Sequence, residues 1–98
     1  MPVAPLQDVL VALTDPMRLE MVRRLMSAGE ALACSSLYDG ISKSTASHHF
    51  KTLREAGVIE RVVRGAQVCQ RLRISELDAR YPGMVQAIVS AADREQVG

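Results

Sequence analysis

A chain of 98 residues with a formal net charge of +1 has room for a single domain, 1–98, and a core this thin favours pairing with a second copy. At 48% apolar and 23% charged residues it is neither disordered nor collagen-like, and no apolar run reaches the ~20 residues of a membrane span. A start without the basic-then-apolar layout of a secretory signal points to the cytoplasm, with no membrane partner.

Leu6, Val9, Leu10 and Leu13 recur at helical spacing and predict a short first helix with one apolar stripe. Asp15-Pro16 ends it and opens a second. Aspartate is a good cap, and proline suits the first helical position because its missing N–H has no partner there. Leu19, Val22, Leu25 and Met26 form the buried stripe of the second helix, which Gly29 closes. Leu32, Leu37 and Ile41 predict a short third helix near Ala33–Tyr38, ended by Asp39-Gly40. Ser42 reads as the cap of a fourth helix running to Ala56, with Gly57 left-handed beyond it. Ala46, Phe50 and Leu53 are its inward stripe, while Lys43, Ser44, Thr45, Ser47, His48 and Lys51 occupy its first turns and opposite face.

Val58–Arg64 and Gln67–Ile74 are rich in β-branched residues and flank Gly65-Ala66, so they predict a hairpin. On its second strand Val68, Gln70, Leu72 and Ile74 share one face, and Cys69, Arg71 and Arg73 the other. After a Ser75–Tyr81 connection, Pro82-Gly83 opens a last helix whose apolar band is Met84, Val85, Ile88, Val89 and Ala92. The predicted class is mainly α with a small β-hairpin, in the order α-α-α-α-β-β-α.

Charge is unevenly spread. Between Ser42 and Arg73, Lys43, Lys51, Arg54, Arg61, Arg64, Arg71 and Arg73 oppose only Glu55 and Glu60, while the rest of the chain is acidic in balance. Such asymmetry points to a polyanion-binding face. A helix opening Ser-Lys-Ser-Thr and followed at once by a basic hairpin is the layout of a winged helix-turn-helix. The short hydroxyls of Ser42, Ser44, Thr45 and Ser47 allow close approach of a phosphate or base edge to the helix start. His48 and Lys51 lie on the outward face within reach of a major groove. Arg61, Arg64, Gln67 and Arg71 of the wing would straddle the adjacent backbone or minor groove.

Three stretches carry a resemblance: Ala12-Leu13-Thr14-Asp15-Pro16-Met17-Arg18-Leu19, the run from Ser42 through Ile59, and Arg64-Gly65 through Arg71-Leu72. Together they resemble the ArsR family of bacterial transcriptional repressors. The resemblance implies a homodimer joined by the first and last helices, Leu6, Val9, Leu10, Leu13, Met84, Val85, Ile88, Val89 and Ala92 being the apolar residues available for the seam. It also implies a fourth helix in each major groove of an inverted-repeat operator, and repression relieved by an effector, often a metal ion. DNA contact carries over to Ser42, Ser44, Thr45, Ser47, His48 and Lys51, and less firmly to the wing. His49 matches a position read as structural, and Arg18 one read as structural or as a backbone contact.

The chain departs from the family's usual metal-ligand sets. Around the third helix only Cys34 stands where a Cys-x-Cys pair is common, and residues 82 to 98 contain neither His nor Cys. Zinc wants three or four converging ligands, so no metal and no cofactor is expected. Cys34 and Cys69 are too few for a disulfide framework. Either one is a redox-sensing thiol, Cys69 beside arginines that favour a thiolate, or both are small apolar residues. Without a phosphate-cradling loop or a metalloprotease motif, an enzyme is not expected. The competing reading is a winged helix that binds protein or RNA instead of duplex DNA. The effector is unknown from sequence.

Overall fold

The computed structural model describes residues 2–97. Helix α1 (Leu6–Leu13) and helix α2 (Pro16–Ala28) are followed by strand β1 (Leu32–Ala33) and a 3-10 turn (Cys34–Ser36). Helix α3 (Lys43–Glu55), strands β2 (Ile59–Arg64) and β3 (Gln67–Leu72), and helices α4 (Ile74–Arg80) and α5 (Met84–Val97) complete the chain. No helix among the described residues is long and apolar enough to cross a membrane.

Local chemistry sets these boundaries. The Asp15 carboxylate accepts from the N–H groups of Met17 and Arg18 at 2.9 and 3.0 Å, capping α2 as its sequence dictates. Ser42 does the same for α3, accepting from Thr45 N–H at 3.1 Å. Gly57, at φ 76°, turns the chain out of α3 and is packed against the Pro2 carbonyl and the Val3 backbone. The strands form one antiparallel sheet in the order β1-β3-β2, with Arg61 opposite Gln70 and Glu60 opposite Arg71. Met21, Leu25, Leu37, Leu53 and Leu77 are fully buried, and each such side chain contributes about 1.5–3 kcal/mol.

The winged helix-turn-helix class stands, but the order within it differs from expectation. The predicted third helix is instead β1 and the 3-10 turn. Leu32 and Leu37 are five residues apart, off one helical face, and Leu32 and Ala33 pair with Gln70 and Cys69 of β3. The predicted fourth helix is therefore α3. The Ser75–Tyr81 connection is helix α4, anchored by the single buried Leu77, too little apolar periodicity to register in the sequence. The last helix starts at Met84 rather than at Pro82-Gly83, because Gly83 adopts φ 74°.

The expected apolar seam is divided. Val9, Leu13, Val85, Val89 and Ala92 are buried within the chain itself, since the i, i+4 stripes of α1 and α5 turn inward. They belong to the protomer's own core. Leu6 and Leu10 remain exposed, joined by Val11, and Met84 and Ile88 are half-buried.

Candidate nucleic-acid interface

Helix α3 buries Ala46, Phe50 and Leu53 and turns its other face outward. Ser42, Lys43, Ser44, Thr45, Ser47, His48 and Lys51 are all exposed, so the structure brings the helical members of the predicted set onto one surface. The first turn is internally ordered: Ser42 Oγ donates to Thr45 Oγ1 at 2.9 Å and lies 3.2 Å from Ser44 Oγ. These hydroxyls keep spare acceptor and donor capacity toward an approaching phosphate or base.

Orientation of α3 comes from the helices beneath it. Arg18 Nε donates to the Ala12 carbonyl at 2.7 Å, and its Nη1 lies 3.2 Å from Nδ1 of His49. His49 is thus turned away from the outer face, toward Asp15 at 3.8 Å. Adjacent His48 stays exposed, with ring centroids 6.3 Å apart.

The wing residues separate by strand register. Arg61 sits across from Gln70, on the sheet face turned to α3. Arg71 lies on the opposite face, its guanidinium bonded to Glu60, and Arg64 reaches Glu30 at 3.4 Å. Of the described cations on α3 and the wing, Lys43, Lys51, Arg61 and half-buried Arg54 have no carboxylate partner, so theirs are the charges open to a polyanion. Arg64 and Arg71 would first exchange exposed ion pairs, each worth at most about 1 kcal/mol. Gln67 is exposed at the wing tip.

Cys69 is buried at 3% exposure in the central strand, and half-buried Cys34 accepts from Gln70 Nε2 at 3.6 Å; both thiols are free. No group of three or more His, Cys, Asp or Glu side chains converges as a metal site would among the described residues. Sequence reasoning did not place Tyr38, Arg54 and Gln70 at the site, yet all three line the cleft beside α3. Gln70 had a legible signal: it is a polar residue in the inward register of Val68 and Leu72.

Comparison with known proteins fits this geometry. Residues 13–62 match the model of a helix-turn-helix domain family. The chain is 34% identical over 83 residues to the uncharacterized HTH-type transcriptional regulator YceK of Bacillus subtilis (strain 168), covering 83% of each chain. It is similar in structure to the transcriptional repressor BigR from Xylella fastidiosa, with TM-score 0.66, 26% identity, and coverage of 87% of this chain and 83% of that one. An ArsR-like transcriptional regulator from Rhodococcus sp. RHA1 superimposes with TM-score 0.63 at 26% identity, covering 93% and 85%.

Proposed function

Because the chain belongs to the ArsR-like family of winged helix-turn-helix transcriptional regulators, we propose that it acts as a homodimeric repressor on an inverted-repeat operator, with no catalytic role. One observation carries this reading: the outward face of α3 gathers hydroxyls, His48 and the unpaired Lys43 and Lys51, flanked by Arg61 of the wing. Ser47 and His48 would meet base edges, while the cations and the Ser42–Thr45 turn hold phosphates. Two copies would place their α3 helices in successive major grooves about 34 Å apart. Support for a second copy comes from exposed Leu6, Leu10 and Val11 on α1 and from half-buried Met84 and Ile88 on α5.

Selection of bound duplexes from a random library tests the reading directly. Enrichment of a two-fold symmetric sequence supports it. Capture without sequence preference overturns the operator and favours a protein or RNA partner for the same face.

A further inference from the structure

We propose that the cleft between α3 and the wing is a binding site for a small aromatic acid that carries a hydrogen-bond donor, and that this acid and DNA exclude one another. The cleft encloses about 470 Å³, within the range of pockets that take small ligands. Its floor is formed by buried Gln70 and Phe50 with half-buried Tyr38 and Cys34, and its rim by exposed Lys43, Ser47 and Arg61.

Three features define the ligand. Gln70 is 2% exposed, yet its Oε1 has no hydrogen-bond partner, and its Nε2 has only the weak Cys34 sulfur at 3.6 Å. A buried amide left in this state is the exception in folded proteins, and a turn of the amide toward the cleft that Gln70 lines would let a ligand donor satisfy its oxygen. Tyr38 and Phe50 meet edge to face at 6.2 Å and offer an apolar wall suited to a ring. Lys43, Arg54 and Arg61 line the cleft with no carboxylate among its residues, so the charge they accept is negative. An aryl ring with a carboxylate toward the rim and an O–H or N–H toward Gln70 satisfies all three.

Lys43 and Ser47 belong both to this cleft and to the face proposed for DNA, so a bound acid neutralises and covers part of that face. Only this competitive half of the inference rests on the operator reading. The binding half does not.

The test is calorimetric titration of the full chain, without DNA, with 4-hydroxybenzoate, with benzoate (donor removed) and with 4-hydroxybenzamide (charge removed). Saturable binding of the hydroxy acid is expected, weakened about tenfold or more in each of the other two. Gln70→Leu should abolish the advantage of 4-hydroxybenzoate over benzoate, and Arg61→Ala, at an exposed position, should weaken both acids while the thermal transition stays unchanged. Equal heats for acid and amide, or no perturbation of the Gln70, Tyr38 and Ser47 amide resonances by any of the three, overturn the site. Duplex affinity is then measured with and without the acid. Binding of the acid with duplex affinity unaltered overturns the competition alone, and a chain that binds the acid but shows no sequence-specific duplex binding even in its absence overturns the operator reading instead.

Discussion

Nη1 of Arg18 stands 3.2 Å from Nδ1 of His49, joining the start of α2 to the middle of α3 across thirty-one residues of sequence. A guanidinium only donates, so Nδ1 accepts, while Nε2 faces Asp15 Oδ2 at 3.8 Å. The same Arg18 bonds the carbonyl of Ala12 at the end of α1. One side chain thereby fixes three helices, and with them the angle at which α3 leaves the surface.

Arg18→Met and His49→Leu should each lower unfolding free energy by about 1–3 kcal/mol, because each strands a buried or half-buried polar partner. In a double-mutant cycle by urea unfolding, a coupling of about 1 kcal/mol is expected. Strictly additive losses would mean that the contact carries no energy.

Gly57 and Gly29 both adopt positive φ, 76° and 68°, but only Gly57 is crowded. A Cβ at 57 would lie 2.7 Å from both the Pro2 oxygen and the Val3 Cα, whereas nothing lies within 4 Å at 29. Gly29→Ala should therefore cost about 1–2 kcal/mol, the left-handed penalty by itself. Gly57→Ala should cost clearly more, and equal thermal shifts for the two would contradict the close packing of residues 2 and 3 on the end of α3.

Acid should destabilise the fold through its bonded carboxylates. Burial raises the Asp15 pKa, but the Arg18 N–H, the His49 ring, the Arg18 guanidinium and the Met17 N–H outweigh it and hold the group below its ordinary value. Glu20 behaves alike, with burial outweighed by Arg24 and Arg23. A depressed folded pKa stabilises above the unfolded value, about 3.9 for Asp and 4.3 for Glu, and that stability is lost as pH falls through the folded one. Unfolding free energy should be level down to about pH 5 and decline below it. Asp15→Asn, which keeps the cap, should make the decline shallower; an unchanged slope would remove Asp15 from the account.

On the DNA face, Ser47→Ala with His48→Ala should reduce discrimination between operator and random duplex while leaving the thermal transition in place, since both side chains are exposed. Lys51→Ala should weaken all duplexes alike and reduce the slope of log affinity against log salt by about one. A sequence-dependent loss at Lys51, measured by fluorescence anisotropy, would reassign it to base reading.

Leu10→Glu together with Val11→Lys alters exposed positions of α1 and should convert a dimer into a folded monomer at tens of micromolar, read by sedimentation equilibrium. Persistence of the dimer would place the seam elsewhere on the surface.

The sequence by itself determined the elements whose causes are local. Asp15-Pro16 and Ser42 cap helices with their own side chains, Gly57 takes a backbone conformation other residues resist, and the Ala46, Phe50, Leu53 stripe decides which face of α3 points outward. Caps, turns and stripes act over a few residues, so they can be read along the chain. Tertiary structure alone decided what depends on partners remote in sequence. Pairing with β3 made a strand of Leu32–Ala33, contact between helices drew Val9 and Val89 into the protomer's core, and strand register sent Arg61 toward α3 while Arg71 turned to Glu60. It also left the Gln70 amide in the interior without a full set of bonds. Each of these outcomes rests on which surfaces meet, and no short stretch of residues contains that information.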